Sequence, residues 1–163
     1  MSYLARLKAL DTKPLDLLNK WDRRFMALAQ HVAGWSKDPS TNCGAVVVPR
    51  SRTPIIFGYN GLPPGISDDD RLHDRDWRLA VTLHAEDNAV ANAGLDWSRG
   101  ATLYVWPMPP CSRCAARIIR AGIIRVVAQS LSDLARDDRW RDSVGLGLKL
   151  FAEAGVDFTI YRG

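Results

Sequence analysis

With 163 residues, the chain is long enough for one domain with a complete hydrophobic core and too short to expect two. Its 47% hydrophobic and 25% charged residues are typical of an ordinary globular protein. The net charge of +4 is spread along the chain, which suits small anionic partners and is too weak and diffuse to argue for the basic stripe of a duplex-binding protein.

Cysteine content and hydropathy predict a protein of a reducing compartment. Two of the three cysteines belong to a metal-binding motif, described below, so no pair is left for a disulfide framework. No segment of the sequence approaches the roughly 20 apolar residues that a membrane-spanning helix requires. We therefore expect a cytoplasmic protein without a membrane partner.

The first predicted helix follows a short N-terminal segment. Residues 1–14 end at Pro14 and are expected to form an arm, while residues 15–163 are expected to form a single domain. Residues 15–33 are predicted to form an amphipathic helix, which Gly34 can end, because apolar residues recur there at steps of three and four.

Two β-branched runs follow the first helix. Residues 43–49 and 54–60 are predicted to pair as an antiparallel hairpin across a turn that contains two prolines. The next residues, 61–78, are rich in Gly, Pro and Asp and show no periodicity, so they predict a long loop.

Helices and strands alternate through the second half of the chain. This alternation predicts crossover connections and a partly parallel sheet. The predicted elements are a helix at 83–93, a strand at 101–106, a helix at 111–121, a strand at 123–128, a helix at 140–154 and a strand at 156–161.

Two short motifs carry the chemistry of this sequence. His84-Ala85-Glu86 is followed, 25 residues after Glu86, by Cys111-Ser112-Arg113-Cys114, which Pro109-Pro110 precede. One histidine and two cysteines supply three protein ligands, the number that a tetrahedral zinc ion keeps when its fourth position is open to water.

The motifs also lie where their chemistry requires. Both open predicted helices, where backbone N–H groups and the helix dipole favour thiolates, and a Cys-x-x-Cys spacing puts both sulfurs on one face. Glu86 lies two residues beyond His84 and can point beside the metal. Zinc lowers the pKa of a bound water to about 7, and such a carboxylate can then take its proton.

The cysteines have two plainer interpretations. A redox dithiol or half of a structural zinc knuckle would also use Cys-x-x-Cys, but neither needs His-x-Glu upstream. A structural site would want a fourth ligand, and the remaining candidates, Cys43, His31 and His73, belong to no paired ligand motif. Cys43 is interpreted as a small apolar residue at the start of a strand.

The pattern His-x-Glu followed by Pro-Cys-x-x-Cys is the signature of zinc-dependent base deaminases. The sequence resembles the deoxycytidylate deaminase family of the cytidine deaminase superfamily from about Trp21 to Tyr161. The resemblance also includes the segments Ser36–Thr41, Gly58–Gly61, Gly65–Asp69 and Cys114–Ile123.

This resemblance implies a fold and a substrate. The fold would be a cytidine-deaminase-like three-layer α/β/α sandwich with a five-stranded mixed sheet. Zn²⁺ would be held by His84, Cys111 and Cys114, with Glu86 as the proton shuttle in the hydrolytic deamination of dCMP to dUMP and ammonia.

The resemblance also implies substrate-binding residues. Asn60 resembles the family residue that hydrogen-bonds the sugar hydroxyl. Lys37, Ser40 and Thr41 lie in a loop able to meet the 5′-phosphate, although Lys37 could equally be a solvated surface cation.

Regulation and assembly follow from the same resemblance. Members of the family are typically homo-oligomers, often hexamers, and many respond to dCTP and dTTP. Gly61 and Asp69 are the candidate contacts for such an effector, which could carry Mg²⁺.

Other functions stay open at this point. The same chemistry could act on a C5-modified deoxycytidylate such as 5-methyl-dCMP, on free cytidine, or on a tRNA adenosine, the last disfavoured by the diffuse charge. A non-catalytic nucleotide sensor that keeps zinc for stability is the alternative outside enzymes, and an intact Glu86 argues against it.

Overall fold

A computed structural model describes residues 12–129 and 138–162 of the chain. These residues contain six strands and five α-helices, with short 3₁₀ turns at Leu15–Leu17 and Asp70–His73. The strands are β1 (Thr12–Pro14), β2 (Gly44–Val48), β3 (Ile56–Tyr59), β4 (Thr102–Trp106), β5 (Arg125–Gln129) and β6 (Asp157–Arg162). The helices are α1 (Lys20–Ala33), α2 (Arg75–Val81), α3 (Ala85–Ser98), α4 (Ser112–Arg120) and α5 (Asp138–Ala154).

All six strands form one mixed sheet in the order β1-β6-β5-β4-β2-β3. The predicted hairpin is confirmed, since β2 pairs antiparallel with β3, and β4, β5 and β6 run parallel as the alternation predicted. The structure adds a sixth strand to the five expected, because β1, at the end of the segment predicted as an arm, pairs in parallel with β6. Residues 1–11 of that segment lie outside the described residues.

Helices cover both faces of the sheet, which gives three layers. Alternate residues of β2 face opposite ways, with Val46 in the core beneath α1 and Val47 in the core beneath α3, α4 and α5. This period of two is that of a strand buried on both faces. Cys111 and Cys114 belong to the core beneath α3, α4 and α5, so both predicted cysteine ligands lie inside the packed domain.

Some helix boundaries differ from the sequence prediction. The helix predicted at 15–33 is an α-helix only from Lys20, because Asn19 is its N-cap and accepts hydrogen bonds from the N–H groups of Trp21 and Asp22. The prediction of a loop through residue 78 was wrong at its end, since α2 begins at Arg75 after Asp74 caps it. The predicted helix at 83–93 continues to Ser98 through a kink at Gly94, whose φ is 62°.

Two glycines let helices lie directly against strand backbone. A Cβ atom on Gly44 would lie 2.1 Å from the carbonyl oxygen of Ala29 in α1. A Cβ atom on Gly58 would lie 2.4 Å from the backbone nitrogen of Ala89 in α3. The first turns of α3 are therefore pressed onto β3 at a distance that only glycine permits.

Within the described residues, no helix combines the length and the apolar character needed to cross a membrane.

Candidate metal centre and its cavity

Three side chains of the predicted ligand set converge at two helix N-termini. His84 is the N-cap residue of α3 and Cys111 that of α4, and neither side chain makes a capping hydrogen bond. His84 Nδ1 lies 3.2 Å from Cys114 Sγ and 3.6 Å from Cys111 Sγ. All three ligand atoms lie within 4.8 Å of one another, and no other such group of His, Cys, Asp or Glu occurs among the described residues.

The helix ends are held together by contacts that leave the ligands free. The N–H of Ser112, which Cys111 leaves uncapped, donates to Ser143 Oγ of α5 at 3.2 Å. Arg117 of α4 forms an ion pair of 2.7 Å with Asp87 of α3, whose other carboxylate oxygen lies 4.0 Å from Cys114 Sγ. These neighbours were not predicted, because nothing in their spacing separates them from ordinary helix residues.

The three groups share protons where a metal ion would bind. The hydrogen bond with Cys114 lowers the pKa of the Cys111 thiol to about 4, and burial opposes that shift. The hydrogen bond with Cys111 raises the pKa of His84 to about 9. A thiolate at a helix N-terminus, a second thiol and an imidazole that meet at one point are the donor set that Zn²⁺ prefers, so these residues fit that ion.

Glu86 lies in the first turn of α3 beside the ligands but outside their group. It is 6% exposed, and burial raises its pKa to about 7. A carboxyl group with a pKa near neutrality can both take up and release a proton during a reaction. Its carboxylate is not part of the group of ligand atoms that His84, Cys111 and Cys114 form.

A cavity of about 300 Å³ opens beside this cluster, at the lower end of the size range of small-molecule sites. It lies where β3 and β4 end and β2 begins. Its lining is Asp38, Ser40, Thr41, Cys43, Asn60, Arg75, Arg78, Leu79, Thr82, His84, Ala85, Glu86, Val105, Met108, Pro109, Cys111 and Trp140. Cys43, interpreted as a plain strand residue, therefore borders the cavity as well.

Asn60, Ser40 and Thr41, which the resemblance implies as substrate-binding residues, line this cavity. Asn60 is 6% exposed; its Oδ1 accepts from the N–H of Cys43 at 2.7 Å and its Nδ2 donates to the carbonyl of Thr41 at 2.9 Å. Asp38 accepts hydrogen bonds from the N–H groups of Ser40 and Thr41. Because an amide has two donor hydrogens and two lone pairs, these two bonds use one donor and one acceptor position of Asn60.

Lys37, Gly61 and Asp69 lie outside the cavity. Lys37 is exposed and forms an ion pair with Asp68. Gly61 makes a two-way backbone bridge with Leu83, the residue before His84. Asp69 caps the turn at Asp70–His73 and pairs with Arg71 at 2.8 Å.

Two walls of the cavity escaped the sequence prediction. Arg75, Arg78 and Leu79 contribute from α2, at a spacing that repeats with the helical period, but only over seven residues. Trp140 contributes from α5, and its ring centroid lies 5.9 Å from that of His84. The helical spacing of the arginines was the one signal that could have indicated their shared face.

Comparisons with known proteins agree with this chemistry. A family profile described as the cytidine and deoxycytidylate deaminase zinc-binding region matches residues 19–130. An uncharacterised deaminase from the luxG 3′ region of Aliivibrio fischeri is 38% identical over 144 residues, which are 88% of this chain and 95% of the relative. The human deoxycytidylate deaminase is 34% identical over 160 residues, which are 93% of this chain and 85% of the relative.

Solved structures show the same fold. A dCMP deaminase from the cyanophage S-TIM5, crystallised in complex with dCMP and dUMP, superposes with a TM-score of 0.64 at 22% identity. The similarity covers 88% of this chain and 98% of the phage protein.

Proposed function

Since the chain belongs to the deoxycytidylate deaminase family of zinc-dependent deaminases, we propose that its substrate is dCMP, which it converts to dUMP and ammonia. The observation that carries this proposal is the buried Glu86 beside the His84, Cys111 and Cys114 cluster, on the wall of a cavity of nucleotide size. The dCMP deaminases among its relatives, at 34–35% identity, support the choice of nucleotide.

Zn²⁺ is bound by His84, Cys111 and Cys114. When bound, zinc supplies a Lewis acid that lowers the pKa of a coordinated water to about 7. The protein supplies a rigid frame for it, because two ligands open helices that pack on the sheet and Arg117 ties those helices together through Asp87.

Glu86 moves the protons in the proposed reaction. Water adds to C4 of the cytosine ring while Glu86 takes a proton from that water and delivers it to N3. Glu86 then passes the proton of the new C4 hydroxyl group to the amine at C4, so that the C4 carbonyl forms as the C–N bond breaks and ammonia leaves. One water is consumed and one ammonia is released, so the atoms balance. The burial of Glu86 suits this role because it raises the pKa of the carboxyl group to about 7.

The remaining cavity residues orient the nucleotide. Asn60 hydrogen-bonds the sugar hydroxyl through the donor and acceptor that the loop leaves unused. Ser40 and Thr41 offer hydroxyl groups at the same wall. Lys37 as a phosphate ligand stays a prediction, since it is paired with Asp68 outside the cavity.

Regulation and assembly are part of the proposal. Gly61 and Asp69 are the candidate contacts for dCTP or dTTP with Mg²⁺, and both lie outside the substrate cavity. A homo-oligomer, with a hexamer as the leading candidate, is expected. Light scattering after size-exclusion chromatography measures the assembly, and the change in ammonia release on adding dCTP or dTTP with Mg²⁺ measures the regulation.

A substrate panel tests the proposed function. Ammonia release is measured with dCMP, 5-methyl-dCMP, CMP and deoxycytidine in parallel, each with and without dCTP and dTTP. We expect the highest kcat/KM for dCMP. A higher value for 5-methyl-dCMP would indicate a modified-base deaminase, deoxycytidine as the best substrate would contradict the nucleotide assignment, and no ammonia from any compound would favour the sensor.

A further inference from the structure

Helix α2 places two arginines on the wall of the cavity. Arg78 and Leu79 lie three and four residues after Arg75, so all three lie toward one face of the helix. This face lines the same cavity as Ser40 and Thr41. The cavity therefore has a cationic wall that is formed by a different element from those holding the zinc ligands.

Arg78 is buried with one donor unused. It is 7% exposed, and its Nη1 donates to the carbonyl of Leu72 at 2.5 Å. Its Nε lies 3.6 Å from Asp38 Oδ2, too far for a hydrogen bond, and has no hydrogen-bond partner among the described residues. Buried donors are almost always paired in proteins, so the fold leaves the hydrogen bonding of Arg78 incomplete. Its Nε is closed off from solvent against Asp38, so a ligand in the cavity would meet the part of the side chain that lines the wall.

This wall carries two guanidinium groups and one carboxylate. Asp38 faces Arg78, but its carboxylate also accepts hydrogen bonds from the N–H groups of Ser40 and Thr41. Arg75 is exposed and forms no ion pair with any described carboxylate. Asp38 is therefore shared between Arg78 and the loop, and Arg75 adds a second guanidinium group to the wall, where an anion could bind.

We propose that Arg78, together with Arg75, binds the 5′-phosphate of the substrate and so determines the preference for a mononucleotide over a nucleoside. This inference rests on the proposed function. Guanidinium groups present forked donors that match phosphate oxygens. The Asp38 carboxylate, 3.6 Å from Arg78 Nε, places this arginine beside the loop that carries Ser40 and Thr41. Lys37, exposed and paired with Asp68, lies outside this arrangement.

Two substitutions test the arginines, each with a matched control. Arg78→Lys keeps a positive charge beside Asp38 but removes the fork, and Arg125→Lys makes the same change in a guanidinium outside the cavity. Arg75→Gln removes an exposed positive charge on the cavity, and Arg120→Gln removes an exposed one at the far end of α4. Zinc content and thermal unfolding are measured for all four, to confirm folding.

The readouts are kcat/KM for dCMP and for deoxycytidine, and the Kd of dUMP by calorimetry. We expect Arg78→Lys to lower kcat/KM for dCMP about 10- to 100-fold, as for a lost hydrogen bond to a charged group, with a matching rise in the Kd of dUMP. Arg75→Gln should act in the same direction and less strongly. In both variants kcat/KM for deoxycytidine should change less than about twofold. Both controls should leave the ratio of kcat/KM for dCMP to kcat/KM for deoxycytidine unchanged.

The outcomes separate this inference from the proposed function. Wild-type protein that favours deoxycytidine over dCMP would contradict both. If the wild type prefers dCMP but Arg78→Lys and Arg75→Gln lower kcat/KM equally for dCMP and for deoxycytidine, the role of the arginines is overturned and the proposed function stands. If Lys37→Ala instead lowers kcat/KM for dCMP but not for deoxycytidine, the role of the arginines is also overturned. If Arg78→Lys does not fold, the exposed Arg75→Gln variant decides.

Discussion

The Asp22–Arg125 pair and the Asp38–Arg78 pair join the same two residue types, yet their hydrogen bonding differs. Arg125 binds Asp22 through two nitrogens at 2.7 and 2.8 Å, where β5 begins. Asp22 also accepts from Tyr104 Oη at 2.7 Å and from Asn19 Nδ2 at 2.8 Å. Arg78, at the other end of the sheet, approaches Asp38 only to 3.6 Å and keeps a donor unpaired.

The difference separates a structural pair from a functional one. The Asp22 carboxylate is fully used by its neighbours, so it contributes to α1 packing on β4 and β5 and offers nothing to a ligand. An incompletely bonded buried pair costs stability unless something else completes it. At the end of the sheet that holds the zinc ligands, the fold thus leaves a donor of Arg78 unsatisfied beside the cavity.

Glu86→Gln should show the largest difference between the two ends of the sheet, because it should remove activity without lowering stability. Turnover of dCMP should fall about 10²- to 10⁴-fold, because the amide cannot carry a proton, while bound zinc and the melting temperature stay near wild-type values. Metal analysis and ammonia release measure this. Cys114→Ala is the companion variant and should lose zinc as well as activity. Full turnover in Glu86→Gln would remove the proposed shuttle, and normal zinc in Cys114→Ala would contradict the ligand set.

Breaking the Asp22–Arg125 pair should lower stability and leave activity unchanged. Asp22→Ala should lower the free energy of unfolding by about 3 kcal/mol, at the low end of the range for a broken buried pair. The low value is expected because Arg125 is 26% exposed and keeps Asp157 at 3.4 Å. Urea unfolding measures the change. Asp157→Ala, at an exposed partner of the same arginine, is the control and should cost less than about 1 kcal/mol.

Acid should weaken the same pair. Burial by itself raises the pKa of Asp22, but hydrogen bonds from Arg125, Tyr104 and Asn19 hold that pKa below its usual value of 3.8. A carboxyl group with a lowered folded pKa stabilises the fold fully above its unfolded pKa and loses that contribution as pH falls through the folded value. The stability gap between wild type and Asp22→Asn should therefore be constant from about pH 7 to 5 and shrink below about pH 4. A gap that widens on acidification would contradict the assignment.

The smallest expected effect belongs to Lys37→Ala. Its ion pair with Asp68 is exposed, and such pairs contribute about 0–1 kcal/mol. If the arginines of α2 bind the phosphate, kcat/KM for dCMP should change less than about twofold. A selective loss with dCMP but not with deoxycytidine would restore Lys37 to the phosphate site in place of Arg78.

The zinc motif could be predicted from the sequence because its information is local. His84 with Glu86, and Cys111 with Cys114, carry their chemistry in residue types at fixed short spacings, and β-branched runs and helical periods placed the elements that hold them. The parallel pairing of the later strands also followed from the alternation of elements. The family resemblance added Asn60, Ser40 and Thr41 to the cavity.

The cationic wall could not be predicted because it depends on tertiary structure. Helix α2 has only seven residues and follows a Gly-, Pro- and Asp-rich stretch, so its period does not stand out. Whether Arg78 is buried, and whether its Nε is paired, is decided by Leu72 and Asp38, which no sequence spacing links to it. The strand at Thr12–Pro14 is likewise too short to show a pattern.

Gly58 touches neither the zinc ligands nor the cavity, yet it sets how deeply α3 is seated. A methyl group there would meet the Ala89 nitrogen at 2.4 Å, the Ala85 carbonyl oxygen at 2.7 Å and Asn88 Cβ at 2.8 Å, all in the turns that directly follow His84. Two of these atoms are helix backbone, so relief requires α3 and β3 to move apart, and Glu86 would move with the helix. Gly58→Ala should therefore lower activity although every proposed catalytic side chain is intact. A search for inactive natural variants should include this position.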